Sequence, residues 1–137
     1  MADGNYSRSK GKRAELELCA LFREYLGVEA TRNYKQFAQA QHGDIEQLIG
    51  PYLIEAKNHA KITLRPWWDQ ALAAAKARGA CIPCVAYRLP NRGLYDRWRF
   101  VVPDEREPRH EWQLDFRYTA ELGLEAFAAR VREHIGG

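Results

Sequence analysis

The strongest constraint on the fold of this chain is a pair of short apolar segments separated by a helical one. Tyr52 to Lys57 and Cys81 to Tyr87 have the apolar content and the length of buried strands. Between them, an alanine-rich helical segment begins with a first-turn proline, Pro66, and ends at Gly79. Because a helix of that length can cross over a sheet, the two strands are predicted to be parallel neighbours.

Further segments surround this unit. Apolar residues at helical spacing predict a helix from about Lys12 to Leu26. The Gly50-Pro51 turn predicts a hairpin between residues 44–49 and 52–57. A third strand is predicted over 98–102, and a last helix over about 120–135 with Thr119 as its N-cap. The expected fold class is therefore α/β, with a mixed β-sheet flanked by helices.

Length and composition favour one compact domain. With 137 residues, 46% of them hydrophobic, the chain can bury a sizeable core. We expect a flexible basic tail over residues 1–11 and a single domain over 12–137. The start of the chain lacks an apolar signal-peptide core, and the three cysteines argue against a secreted disulfide scaffold, so a cytoplasmic protein is expected. Cys81 and Cys84 are interpreted as buried strand thiols.

Charge is distributed unevenly along the chain. The net charge is only +3, but residues 56–100 contain nine basic and two acidic side chains. Residues 38–55, just before them, contain three acidic and no basic side chains. A basic surface favours a polyanionic partner, and acids beside it could hold a cation. The alternative is that the lysines and arginines simply solvate a helix face.

The segment Leu53-Ile54-Glu55-Ala56-Lys57-Asn58 places an acid and a base on one face of a strand. Side chains alternate with period two, so Glu55 and Lys57 project together, and Asp44 on the partner strand can reach the same face. Two facing carboxylates repel unless a cation lies between them, and Mg²⁺ prefers oxygen ligands, which the Ala56 carbonyl could supplement. Lys57 could then orient a metal-bound water. The alternative is a solvent-facing salt bridge on an edge strand.

Several motifs carry a resemblance to a known family. Gly43-Asp44, ten residues and then Glu55-Ala56-Lys57 resemble the PD-(D/E)xK nuclease motif, with Gly43 where the family has proline. The stretch from Lys10 to Glu15 resembles the start of archaeal-type Holliday junction resolvases and their phage relatives. Gln70-Ala71 resembles the family's glutamine on the helix after the strand. Together these motifs span residues 10–79.

The resemblance implies a restriction-endonuclease-like core and a Mg²⁺-dependent endonuclease that cuts branched DNA as a homodimer, with Mn²⁺ able to substitute. For a phage protein, the compartment would be the cytoplasm of the bacterial host. It implies metal ligation by Asp44 and Glu55, a catalytic Lys57, a first-helix acid at Glu15 and a glutamine, Gln70, beside the lysine. Glu17 and Glu46 remain alternatives for the acidic set.

The basic regions and an aromatic pair suggest where DNA would bind. The expected DNA-binding residues are Lys10, Lys12, Arg13, Lys61, Arg65 and Trp68. Tryptophans at a helix start are more often core or dimer contacts, so Trp67, Trp68 or the strand at 82–88 could instead form the dimer surface. Two functional alternatives stay open: a restriction-like or repair nuclease acting on duplex, flap or single-stranded DNA, and a non-catalytic DNA-binding module.

Overall fold

The computed structural model describes residues 2–33, 43–104 and 116–136, and it describes side chains from residue 11 onward. The helices and strands are α1 (Ala2–Leu26), β1 (Tyr52–Lys57), α2 (Leu64–Arg78), β2 (Ile82–Arg88), β3 (Trp98–Pro103), β4 (Thr119–Leu122) and α3 (Leu124–Gly136). A single 3-10 turn, Phe116–Tyr118, precedes β4. Within the described part of the chain, no helix is long and apolar enough to cross a membrane.

The four strands form one mixed sheet in the order β1-β2-β3-β4. β1 and β2 are parallel, with Glu55 opposite Val85 and Lys57 opposite Tyr87. β3 and β4 are added antiparallel. The predicted parallel pair joined by a helical crossover and the predicted mixed sheet are both confirmed.

Helices cover both faces of the sheet. α1 and α3 pack on one face, where the Phe100 and Phe127 rings stack with centroids 4.3 Å apart and Phe22 lies against both. α2 packs on the other face, mainly over β2. Since side chains alternate along β1, Ile54 faces the α1 side, whereas Leu53 packs under α2. Glu55 and Lys57 therefore share one face, as predicted, and it is the face that α2 covers.

Three predicted element boundaries are corrected. The first helix begins at Ala2 rather than near Lys12, so residues 2–11 are part of it. The flexibility expected for this segment stays a prediction. Thr119 opens β4 instead of capping the last helix, which begins at Leu124. Residues 44–49 do not form a strand, since they contact their neighbours through isolated bridges at Ile45 and Ile49.

The tryptophans at the start of α2 belong to the core. Trp68 is fully buried and Trp67 is 8% exposed, and both pack with Val85 and Tyr87 of β2. The prediction that Trp68 binds DNA is therefore wrong, because its ring has no surface to offer. The interpretation of the two tryptophans as core contacts is confirmed. A dimer surface at the strand at 82–88 would have no free strand edge to pair through, because β2 is an interior strand of the sheet.

Cysteine chemistry stays within this core. Cys81 and Cys84 are free and buried, as the interpretation of strand thiols predicted, and Cys19 of α1 is free and buried as well. Burial raises the pKa of the Cys84 thiol well above its ordinary value, so it is an unreactive packing group.

Candidate active site

The site begins where the segment at residues 43–45 runs beside the outer edge of β1. The Asp44 amide donates to the Ile54 carbonyl at 3.0 Å. The Ala56 amide in turn donates to Asp44 Oδ2 at 2.8 Å. These two bonds join the aspartate to an edge strand through both its backbone and its side chain. Although the predicted hairpin lacks its first strand, Asp44 therefore reaches β1 as the hairpin prediction required.

The glycine before the aspartate has a steric reason. Gly43 has φ +70°, and a Cβ there would lie 2.9 Å from the Ile54 carbonyl oxygen and 3.0 Å from Leu53 Cδ1. A side chain at this position would push the loop away from the strand, and glycine has no Cβ to cause that clash. This backbone requirement explains why the position that holds proline in the resembled motif holds glycine here, since proline cannot take a positive φ.

A second clamp holds the aspartate from the other side. The Asn33 amide donates to the Asp44 carbonyl at 2.9 Å, and Asn33 Nδ2 donates to the Gly43 carbonyl at 2.7 Å. Asn33 is fully buried, so these bonds satisfy polar groups that have no access to water. Asp44 is thus positioned between β1 and the segment before it.

The Asp44 and Glu55 carboxyl groups are in hydrogen-bond contact with each other. Glu55 is only 4% exposed. Burial first, and then the charge of Asp44, raise the pKa of Glu55 to about 9. Burial likewise raises the pKa of Asp44. Burial therefore favours a protonated form of this pair, whereas a bound divalent ion would favour the ionised form.

Glu15 of α1 is the third acid of the site. It is 7% exposed, and burial, followed by the charge of Asp44, raises its pKa to about 7. Arg32 Nε donates to Glu15 Oε2 at 2.5 Å and acts in the opposite direction, lowering that pKa. Glu15 also interacts electrostatically with Glu55 and Lys57, so the structure brings the predicted first-helix acid to the β1 cluster.

Lys57 lies at the end of β1, where the strand opens to solvent. Its Nζ donates to Gln70 Oε1 at 2.6 Å, a contact from strand to helix across 13 positions of the chain. The structure therefore brings together all five residues that were predicted to be catalytic. They are Glu15, Asp44, Glu55, Lys57 and Gln70.

The donor set fits a hard divalent cation. In a strand, the N–H and C=O of one residue point to the same edge, so the Ala56 carbonyl faces the outer edge where its amide meets Asp44. Two carboxylates and one carbonyl are ligands that Mg²⁺ accepts while keeping several waters. Among the residues that the structure describes, no three His, Cys, Asp or Glu side chains are grouped so that they could hold a metal ion, so the fit depends on two carboxylates and one carbonyl.

The two alternative acids lie outside this cluster. Glu17 accepts a hydrogen bond from Trp98 Nε1 at 2.9 Å and lies near Arg88 and Arg97. Glu46 is exposed, and its amide donates to the Thr31 carbonyl. Within the described part of the chain, neither residue is among the groups that bond to Asp44 or Glu55.

The predicted DNA-binding cations are on the surface. Lys12, Arg13, Lys61 and Arg65 are exposed. Lys10 lies in the part of α1 for which the side chains are not described. Lys61 and Arg65 follow Lys57 along the chain and lead into α2, so they border the open end of β1.

Two functional residues were missed by the sequence reasoning, Arg32 and Asn33. Neither belongs to a recognisable motif, and both depend on the return of residues 30–33 alongside Asp44. The available signal was weak: an asparagine followed at a distance by Gly-Asp does not predict a contact between them.

The fold has the α/β core of restriction-endonuclease-like proteins, and the class of protein that it indicates is the PD-(D/E)xK nuclease superfamily. The sequence model of a family described as "Phage putative PDDEXK endonuclease" matches residues 6–119. The match covers more than half of the chain, and the chain belongs to this family. Comparisons with curated proteins and with solved structures found no match.

Proposed function

We propose that this protein is a Mg²⁺-dependent endonuclease that hydrolyses phosphodiester bonds in branched DNA, with Mn²⁺ able to replace Mg²⁺. The observation that carries the proposal is the contact between the Asp44 and Glu55 carboxyls beside the Ala56 carbonyl and Lys57. Membership of a phage endonuclease family supports DNA as the substrate and the bacterial cytoplasm as the place of action.

Each residue has a role that its contacts support. Asp44, Glu55 and the Ala56 carbonyl would hold the ion, and Glu15 would act on it through water. When bound, the ion supplies an acidified water and neutralises phosphate charge. Lys57 directs its ammonium at the attacking water or the scissile phosphate, and Gln70 holds the lysine in that orientation through the 2.6 Å bond.

Branched DNA is proposed as the substrate because the chain opens with the Lys10–Glu15 stretch that resembles junction resolvases. In the structure Glu15 is buried beside Asp44, while Lys12 and Arg13 of the same turn are exposed. This arrangement lets one turn of α1 serve both the metal site and the DNA backbone.

The catalytic assignment is tested with Asp44→Asn and a labelled four-way junction in Mg²⁺. We expect the cleavage rate to fall at least about a hundredfold, because the amide cannot replace a charged metal ligand. Glu46→Gln is the matched control, since it removes an exposed acid two residues away and should cut at the wild-type rate. Equal cleavage by Asp44→Asn and wild type would show that the site is wrong.

The substrate is tested with a panel of junction, flap, linear duplex and single strand at matched concentration. We expect the junction to be cut at least about tenfold faster than linear duplex. Comparable rates would instead favour a restriction-like or repair nuclease. Tight binding without cleavage in Mg²⁺ or Mn²⁺ would favour a non-catalytic DNA-binding module.

A further inference from the structure

A second charged cluster lies at the turn between β2 and β3. Glu17 of α1 reaches this turn and accepts a hydrogen bond from Trp98 Nε1 at 2.9 Å through its Oε1. Its Oε2 lies 3.4 Å from Arg88 Nη2 and 3.4 Å from Arg97 Nη1. One carboxylate therefore serves two guanidinium groups, which leaves the cluster with a net positive charge.

The cluster is weakly bonded and accessible. A separation of 3.4 Å is longer than the usual 2.7–2.9 Å of a charge-assisted hydrogen bond, so neither arginine is firmly held by Glu17. The Arg88 and Arg97 side chains are 29% and 23% exposed. Within the described part of the chain, the Nε atoms of both arginines are buried and have no hydrogen-bond partner, so only the outer guanidinium nitrogens are open to a ligand. This is an unusual arrangement for a group whose only task is to stabilise the fold.

The register places these arginines near the catalytic end of the sheet. Lys57 is opposite Tyr87, and Arg88 is the next residue along β2. Arg88 is opposite Trp98, so Arg97 enters the same end of the sheet from β3. With strands about 4.8 Å apart and a rise of about 3.3 Å per residue, the Arg88 Cα lies roughly 6 Å from that of Lys57, although the Arg88 side chain projects to the α1 face and that of Lys57 to the α2 face.

α1 adds a third cation to the same face. Arg13 is exposed and precedes Glu17 by one helical turn, and residues at that spacing are neighbours on a helix surface. Arginine presents a planar set of donors that matches phosphate oxygens. Two or three such side chains around one carboxylate can take a phosphate without first breaking a strong ion pair.

We propose that Arg88 and Arg97 form a phosphate-binding subsite for the DNA backbone on the α1 face of the sheet, at the end where Lys57 lies, with Glu17 as their counter-charge when DNA is absent. The inference rests on the proposed function, because it takes the substrate to be DNA. It adds to that function a contact on the α1 side of the sheet, away from the basic residues at the start of α2.

The test measures the salt dependence of binding to a fluorescein-labelled 20-base-pair duplex and to a four-way junction, in EDTA so that no cleavage occurs. For Arg88→Gln/Arg97→Gln, the slope of log affinity against log salt should decrease in magnitude by about two, one for each lost phosphate contact. Arg78→Gln is a matched control for a single charge. It lies at the end of α2, near the start of β2 and so at the opposite end of the sheet, and should leave the slope unchanged.

Glu17→Gln provides a test with the opposite sign. Removing the carboxylate leaves both arginines to the phosphate, so DNA binding at low salt should tighten about fivefold. A purely structural ion cluster predicts no tightening and only a lower melting temperature. This variant also keeps the proposal testable if the double arginine variant does not fold.

Two outcomes would overturn the subsite. The first is an unchanged salt slope in a folded Arg88→Gln/Arg97→Gln protein, and the second is weaker or equal binding by Glu17→Gln. If the wild type still cuts DNA in Mg²⁺, only the subsite fails. A wild-type protein that neither binds nor cuts any DNA would overturn the proposed function and the subsite together.

Discussion

At the scale of single residues, the site is a group of acids that the fold has withdrawn from water. Glu55 is 4% exposed and Glu15 is 7% exposed, and each has a raised pKa, caused first by burial and then by the charge of Asp44. Burying carboxyls without a partner is costly, and a fold that nevertheless does so has a cation or a proton to hold there.

Glu55 should make stability depend on pH. Its pKa is about 9 in the folded protein and near 4.5 when unfolded, so the folded state binds the proton more tightly. The stabilisation is fully present below pH 4.5 and is lost as the pH rises towards 9. Compared with Glu55→Gln, which cannot ionise, wild type should therefore lose unfolding free energy between pH 5 and pH 9 in urea titrations with EDTA present.

Mg²⁺ should reverse this loss. The ion binds the ionised carboxylates, so the rise in melting temperature on adding Mg²⁺ should be larger at pH 8.5 than at pH 6, and absent in Glu55→Gln. Parallel curves of unfolding free energy against pH for wild type and Glu55→Gln in EDTA would contradict the raised pKa of Glu55, on which both of these predictions depend.

Arg32 should control the ionisation of Glu15. Because the guanidinium lowers the Glu15 pKa from what burial would give, Arg32→Gln should raise it above about 7. The measurement is an NMR titration of the Glu15 side-chain carboxyl carbon. Arg23→Gln is the control: Arg23 bonds the Ala30 carbonyl and does not appear among the groups that shift Glu15. The same pKa in both variants would rule out the role given to Arg32.

At the scale of elements, the site depends on a loop that lies against an edge strand. The hydrogen bonds that join Asp44 to Ile54 and Ala56 fix the loop to β1 as strand pairing would, although residues 44–49 are not a strand. Residues close together in α2 have different surroundings. Trp68 packs into the core, Arg65 is exposed, and Gln70 accepts a hydrogen bond from Lys57.

Gly43→Ala should damage both stability and the metal site. The new Cβ would meet the Ile54 carbonyl at 2.9 Å from a backbone with φ +70°. We expect a loss of about 1–3 kcal/mol in unfolding free energy and at least about tenfold weaker Mn²⁺ binding by calorimetry, because Asp44 is displaced from β1.

Gly93→Ala is the control for that substitution. No atom lies within 4 Å of a Cβ added at Gly93, and its φ is not in the left-handed region. Its stability should stay within about 0.5 kcal/mol of wild type, with unchanged Mn²⁺ binding. A Gly43→Ala protein that binds Mn²⁺ as tightly as Gly93→Ala would contradict the positioning of Asp44 through this loop.

At the scale of the whole molecule, the described part of the chain holds one such acidic cluster, and a four-way junction needs two symmetric cuts. We therefore predict a two-fold dimer in solution. Sedimentation at the concentrations used for cleavage should give the mass of two chains.

A mixed dimer gives a sharper test of the same prediction. Wild type co-expressed with Asp44→Asn under two affinity tags and purified for both should nick one strand of the junction and leave the other intact. A monomeric mass, or double cleavage by the mixed sample, would contradict the dimer.

The sequence was sufficient for the parallel β1–β2 pair, because strand length, apolar content and a helical crossover are local properties. It was also sufficient to predict that Glu55 and Lys57 share one face of β1, because the two-residue alternation of a strand does not depend on the rest of the fold. It did not predict β4, because the four residues from Thr119 show too short a pattern to be separated from a helix cap.

Contacts between distant segments required the folded chain. The local pattern of α2 did not decide that Trp68 is buried against the sheet while Arg65 is exposed, because that depends on which face of α2 packs on β2. The Arg32–Glu15 pair spans 17 positions and the Asn33 clamp on Gly43 spans 10. Such contacts arise from packing, and the local spacing of residues does not encode them. For that reason the acids and the lysine of the candidate site could be predicted from the sequence, whereas Arg32 and Asn33, which orient them, required the structure.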